Sequence, residues 1–140
     1  MISEWMLDIW WAESERAVVS FWILISRLSP WPIFFLWAKA TIKEESKPSL
    51  DKLAEVLAKK PEWGLQIAGH TDSDGSSRAN LLLSKRRSEA VRDYLMKKAS
   101  ITDQTRFKVL YFGESQPLVP NTSPENKQKN RRVEMTIIFK

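Results

Sequence analysis

The sequence contains no cysteine and only one histidine among its 140 residues. The lack of cysteine excludes a disulfide scaffold, a thiolate metal site, a cysteine nucleophile and a lipidated cysteine within these residues, although it does not exclude an oxidising compartment. The single histidine has no second histidine or cysteine with which to share a metal ion. These absences leave few ways to build a metal-dependent or thiol-dependent enzyme.

A long uninterrupted hydrophobic run is also missing. The apolar stretch at residues 17–25 is short and is followed by Arg27, Pro30 and Pro32, whereas a membrane-spanning helix needs about 20 apolar residues. A transmembrane helix is therefore not expected. Acidic residues precede this stretch, and a secretory signal would begin with a basic region instead, so no export signal is visible.

The composition changes near residue 40. Residues 1–40 hold six of the seven tryptophans and no glycine and carry a net charge of −1, whereas residues 41–140 carry a net charge of +6. We therefore predict a Trp-rich helical segment over residues 1–32 and a folded domain over residues 33–140. Because monomers rarely expose so much apolar surface, we expect the segment to pack on the domain, a partner chain, a second copy or a membrane surface. The membrane surface is the least favoured of these, because the segment is acidic and anionic lipids attract Lys and Arg.

Hydrophobic spacing predicts an α+β domain. Apolar residues at helical spacing predict helices over residues 48–59 and 78–98, and proline, glycine and polar residues predict a long loop over residues 112–131. The order strand, helix, strand, helix, strand, strand predicts a four-stranded mixed sheet with both helices on one face. The four strands are predicted over residues 33–36, 64–68, 106–111 and 133–139.

The segment from His70 to Gly75 (HTDSDG) leaves a predicted strand and enters a predicted helix, which is a common place for a ligand site. A calcium loop of the EF-hand type fits poorly, because that pattern needs glycine where Ser77 stands and glutamate where Leu83 stands. A hydrolase fits poorly as well, since no G-x-S-x-G motif is present. On the loop alone, an Asp- and Gly-rich turn that caps the helix is favoured.

Arg87 changes that balance. It lies four residues after Leu83 and four before Val91, so it projects from the apolar stripe of the helix. A charge on that face is costly unless it is paired, and we expect Asp72 to be its partner. The pair either fixes the loop structurally or forms a site for the ammonium and carboxylate groups of an amino acid.

The tract Lys127-Gln128-Lys129-Asn130-Arg131-Arg132 is basic. No aromatic residue is interleaved with it, and a strand follows it directly, so solvated charge is favoured over contact with nucleic acid.

Five segments of the chain have a distinctive order and spacing. They are ATIKEESKPSLDKLAEVL (40–57), GHTDSDG (69–75), NLLLSKRRSEAVRDYL (80–95), the GES-QP turn (113–117) and NRRVEMTI (130–137). Together they resemble the OmpA-like periplasmic domain, the peptidoglycan-binding module also found in Pal-type lipoproteins and MotB-type stator proteins. The resemblance covers about residues 33–140. It implies a β-α-β-α-β-β fold that grips peptidoglycan noncovalently through the diaminopimelate of its stem peptide.

The resemblance also implies which residues bind the ligand. The family's ligand aspartate and arginine fall on Asp72 and Arg87, its supporting asparagine on Asn80, the first arginine of its NRR motif on Arg131, and its loop residues on Thr71 and Asp74. No catalytic residue, metal or cofactor is implied. One departure concerns the end of the first strand, where the family usually has Phe-Asp and this chain has Phe35-Leu36-Trp37-Ala38.

Two functions remain open at this point. The resemblance implies noncatalytic anchoring of an envelope protein to the cell wall, on the periplasmic side of the outer membrane. The Trp-rich segment 1–32 instead favours an OmpA-like scaffold for protein–protein interaction or self-association, with weak or no wall binding. An enzyme is not expected, because no nucleophile–base pair or metal-ligand set is visible.

Overall fold

The structure, a computed structural model, describes residues 39–139. The Trp-rich segment 1–32, the predicted strand 33–36 and the apolar residues 36–38 lie outside the described residues. None of the helices in the described part combines the length and the apolar character that crossing a bilayer requires.

The first long helix, α1 (Lys47–Lys59), confirms the helix predicted over 48–59. Pro48 lies in its first turn, where the missing N–H costs no hydrogen bond. Its buried face carries Leu50, Leu53 and Leu57, which are spaced to form one apolar stripe. This stripe forms much of the core together with the second helix, against which α1 packs.

The sheet has three strands within the described residues. They are β1 (Trp63–His70), β2 (Phe107–Gly113) and β3 (Val133–Phe139), in the order β2-β1-β3. β1 pairs in parallel with β2 and antiparallel with β3, so the sheet is mixed as predicted. Three of the four predicted strands are thus found, and the fourth was predicted over residues 33–36, outside the described residues.

The second helix, α2 (Ser77–Ala99), forms the crossover between β1 and β2 and packs on both strands. Only its second half buries apolar side chains, namely Val91 and Leu95. Its first half buries Asn80, Ser84 and Ser88 on the face towards β2, and the Ser88 hydroxyl donates to the Leu110 carbonyl at 3.1 Å. The predicted apolar stripe is therefore polar where it reaches the loop after β1.

Gly69 allows this polar half of α2 to approach β1 closely. A Cβ at Gly69 would collide with the Ser84 carbonyl oxygen and would lie 2.6 Å from Ser88 Oγ. Because glycine has no side chain, the strand end and the helix can touch through their backbones. The close approach brings the loop that follows β1 against the first turns of α2.

A third helix, α3 (Pro124–Asn130), lies inside the stretch predicted as a loop over 112–131. Ser123 caps it by accepting from the Asn126 amide at 3.1 Å, Pro124 occupies the first turn, and Glu125 complements the helix dipole. The helix was missed because it has capping signals but no apolar periodicity.

Candidate functional site

The loop after β1 places Thr71 and Asp72 in the interior, with only 3% and 6% of their surfaces exposed. The Thr71 amide donates to the Gly113 carbonyl at 2.9 Å, which ties the loop to the end of β2. Asp72 Oδ1 accepts from the Asp74 amide at 2.9 Å, and the Thr71 hydroxyl donates to the Asp72 carbonyl at 2.9 Å. The loop is thus an Asx turn that fixes a buried carboxylate.

Asp72 forms its ion pair with Arg131, which donates through Nη1 to Asp72 Oδ2. The direct pair predicted between Asp72 and Arg87 is therefore a wrong prediction. Asp72 and Arg131 are separated by 59 positions in the sequence. Arg87 was predicted as the partner because it lies on α2, which begins just after the loop that carries Asp72. Arg131 also donates through Nη2 to Gln128 Oε1 at 2.6 Å.

Arg87 lies on the buried face of α2, as predicted, with 3% of its surface exposed. Its Nε donates to the Lys39 carbonyl at 3.2 Å. Burial is the main cause that lowers the pKa of the Arg87 guanidinium; the positive charge of Arg131 lowers it further, and Asp72 opposes the shift. One carboxylate and two guanidinium groups therefore interact electrostatically at this site.

Asn80 supports the loop from α2. Its Nδ2 donates to the Asp72 carbonyl at 3.3 Å and to Glu114 Oε2 at 2.6 Å. Glu114 was not predicted as a site residue, and the only signal for it in the sequence is its place in the GES-QP turn. Asn80, Thr71, Asp72 and Arg131 are thus brought together in one hydrogen-bonded cluster.

Asp74 lies at the exposed edge of the loop and pairs with Lys127 of α3 at 2.8 Å. Together with the Arg131–Asp72 pair, this contact connects the basic tract to the loop. The prediction that the tract is solvated charge is therefore wrong for Arg131, which pairs with the buried Asp72, whereas Lys127 pairs with an exposed carboxylate. Within residues 39–139, no group of three metal-binding side chains is close enough to hold a metal ion.

Asn130 organises the chain that carries Arg131. Its side chain is completely buried. Its Oδ1 accepts from the amides of Leu118 and Val119 at 2.8 and 3.1 Å, and its Nδ2 donates to the Val119 carbonyl at 2.8 Å and to Asn121 Oδ1 at 2.9 Å. These bonds fold the segment before β3 into a defined shape, so that Arg131 meets Asp72.

His70 and Glu134 lie beside this cluster at the neighbouring ends of β1 and β3. The buried His70 ring stacks on Phe112 with a centroid separation of 5.3 Å, and His70 Nε2 is 3.7 Å from Glu134 Oε2, beyond hydrogen-bond distance. Glu134 Oε1 accepts from Arg132 Nε at 2.7 Å. The neighbouring His70 and Arg132 side chains lower the pKa of Glu134 to about 2, against a smaller opposing effect of burial.

Known proteins similar to this chain share the region that carries the site. The profile of the OmpA family matches residues 34–131. Outer membrane porin F of Pseudomonas aeruginosa is 35% identical over 103 residues, which cover 74% of this chain and 29% of that protein. The peptidoglycan-associated lipoprotein of Rhizobium meliloti is 33% identical over 100 residues, which cover 71% of this chain and 56% of that protein. The chain thus spans less than two thirds of these relatives.

A solved structure has a similar fold. The cell wall anchor of the T6SS from Pseudomonas aeruginosa superposes with a TM-score of 0.64 at 29% sequence identity. The superposition covers 76% of this chain and 74% of that chain.

Proposed function

The chain belongs to the OmpA family, and from that premise we propose that it binds peptidoglycan noncovalently and anchors an envelope protein to the cell wall. The proteins that this chain resembles support this proposal, since they include a peptidoglycan-associated lipoprotein and a cell wall anchor. The proposal places the site on the periplasmic side of the outer membrane and involves no covalent step.

We propose further that the ligand is the free end of diaminopimelate in the stem peptide. That end carries an ammonium and a carboxylate on one carbon atom. The observation that carries the proposal is the buried Asp72 carboxylate, held by Arg131 and influenced by the charge of Arg87. A carboxylate can bind the ammonium, and guanidinium groups can bind the ligand carboxylate in a planar, bidentate way.

The charges also indicate which groups of the ligand would meet which side chains. Arg131 occupies Asp72 Oδ2, so a ligand ammonium must share the Asp72 carboxylate with Arg131 or displace it. A ligand carboxylate between Arg131 and Arg87 would reduce the repulsion that lowers the pKa of Arg87. A zwitterion therefore complements both charge signs at the site, whereas a simple amine brings no carboxylate for the guanidinium groups.

Co-sedimentation with purified sacculi tests this function. We expect the chain to sediment with sacculi whose stem peptides contain diaminopimelate and to be released by free diaminopimelate, but not by an equal concentration of cadaverine, a diamine without a carboxylate. Asp72→Asn should weaken sedimentation, because it removes the charge that opposes the ammonium. The matched control is Asp93→Asn, which removes a carboxylate from the exposed side of α2 that pairs with Arg92.

Two results would contradict the proposal. Equal binding to sacculi with lysine in place of diaminopimelate would contradict the choice of ligand. Concentration-dependent self-association without any sacculus binding would favour the alternative function, in which residues 1–32 mediate protein–protein interaction on an OmpA-like scaffold.

A further inference from the structure

Glu114 follows β2 directly and reaches the start of α2. The preceding Gly113 has a φ of +56°, a left-handed conformation that suits glycine, and a Cβ there would lie 3.0 Å from the Leu81 amide nitrogen. This close turn carries the Glu114 carboxylate to two donors of α2. Oε1 accepts from the Ser77 hydroxyl at 2.6 Å, and Oε2 accepts from Asn80 Nδ2 at 2.6 Å.

The bond to Asn80 fixes which way its amide group points. Nδ2 carries two hydrogens. It donates one to Glu114 Oε2 and the other to the Asp72 carbonyl. A flipped amide would place Oδ1 against these two acceptors, so both contacts would become repulsive. Asn80 is 5% exposed, so water offers little compensation for lost hydrogen bonds.

Glu114 is suited to this role because it is ionised at neutral pH. Hydrogen bonds from Ser77 and then from Asn80 lower its pKa below the ordinary value, although burial opposes them slightly. An ionised carboxylate accepts on both oxygens and donates on neither. Either oxygen of the Glu114 carboxylate can therefore accept from the Asn80 amide.

We propose that Glu114 is a positioning residue of the ligand site, which sets the Asn80 amide and through it the Asp72 loop. The inference rests on the proposed function only for its effect on ligand binding. It assigns Glu114 no contact with the ligand. The effect passes along the chain of hydrogen bonds from Glu114 to Asn80 to Asp72.

Glu114→Gln tests the proposal, because it keeps the size of the side chain and replaces a charged acceptor oxygen by an NH2 group. Asn80 then either faces a donor or keeps only a neutral, weaker acceptor. We expect an affinity for soluble diaminopimelate-containing muropeptides that is lower by about tenfold, the loss of one charged hydrogen bond. Ser77→Ala is the matched control, since it removes the other bond to Glu114 and leaves Asn80 in contact; its affinity should stay within about twofold of the wild-type value.

A double-mutant cycle separates positioning from direct ligand contact. If Glu114 acts through Asn80, the variant Asn80→Ala with Glu114→Gln should bind as weakly as Asn80→Ala alone. Losses that multiply would mean that Glu114 contacts the ligand independently, which would overturn the proposal.

A measurement on the chain without ligand tests the role of Glu114 independently of the proposed function. In NMR spectra, Glu114→Gln should shift the Asn80 side-chain NH2 signals and the amide signals of residues 72–74, whereas Ser77→Ala should leave residues 72–74 nearly unchanged. Unshifted signals in Glu114→Gln would overturn the inference even if the wild-type chain binds sacculi. Shifted signals in a chain that binds no muropeptide would support the inference and contradict the proposed function instead.

Discussion

At the scale of single residues, the site depends on the shape of a buried cation as well as on its charge. Arg87 is almost completely buried and hydrogen-bonded through Nε to the Lys39 carbonyl. Lysine would keep the charge but lose both the Nε donor and the planar fork that can hold a carboxylate at two points. We therefore expect ligand binding to need the guanidinium group of Arg87 and not only its positive charge.

We expect Arg87→Lys to weaken the binding of diaminopimelate-containing muropeptides by about 1–3 kcal/mol, the range of a charged hydrogen bond. Isothermal titration calorimetry would measure the change. Arg92→Lys on the same helix, where the side chain pairs with the exposed Asp93, controls for the exchange itself. Equal affinities of Arg87→Lys and the wild-type chain would mean that Arg87 is only structural.

Glu134 predicts a pH dependence of stability. Its pKa in the folded chain is about 2, below the ordinary value of 4.5. A lowered carboxyl pKa means that the ionised group stabilises the fold fully above about pH 4.5, and that this contribution is lost as the pH falls from about 4.5 to about 2. The loss occurs because protonation removes the charge that interacts with Arg132 and His70.

Glu134→Gln should therefore lower the free energy of unfolding at neutral pH, and the difference from wild type should shrink as the pH falls towards 2. Urea unfolding across this range would measure it. Glu62→Gln removes a carboxylate from the turn before β1 and reports the background effect of changing the net charge. A difference that stays constant with pH would contradict the assignment.

At the scale of elements, the end of α2 carries a local strain. Ser100 adopts a left-handed conformation with φ 53° and ψ 37°. The Ile101 amide donates to the Met96 carbonyl at 2.9 Å, which is the six-residue bond of a Schellman motif. Glycine is the usual residue at this position, because a Cβ makes the left-handed conformation unfavourable.

Ser100→Gly should raise the free energy of unfolding by about 1 kcal/mol, the lower end of the cost of a left-handed non-glycine residue. Chemical denaturation would measure it, with Ser100→Ala as the control that retains the Cβ. A loss of stability in Ser100→Gly would mean that the entropy of the unfolded glycine chain outweighs the relieved strain.

At the scale of the whole molecule, the main prediction from the sequence concerns the environment of the six tryptophans in residues 1–37. We expect them to be covered by the domain, by a partner, by a second copy or, as the least favoured alternative for an acidic segment, by a membrane surface. In a Trp63→Phe variant, all tryptophan fluorescence comes from these six residues. Acrylamide should quench this fluorescence only weakly, whereas strong quenching in a chain that stays monomeric at all concentrations would contradict the prediction.

Much of the fold could be predicted because its signals are local. The apolar spacing of α1, the alternation of β3 and the glycine at the end of β1 each depend on residues close together in the chain. The burial of Arg87 was predicted for the same reason, since its position on the helix follows from its spacing to Val91. α3 also has local capping signals. They did not predict the contact between this helix and the loop after β1.

The sequence by itself determined the types of element, the family resemblance and the residues that gather at the site. Tertiary structure alone decided the partner of Asp72, because the hydrogen bonds of Asn130 hold the segment before β3 in the shape that brings Arg131 to Asp72. It also decided that Glu114 orients Asn80, through a turn that follows a different strand. Hydrogen bonds between distant segments depend on side-chain position to within about 0.5 Å, and spacing along the chain does not encode that precision.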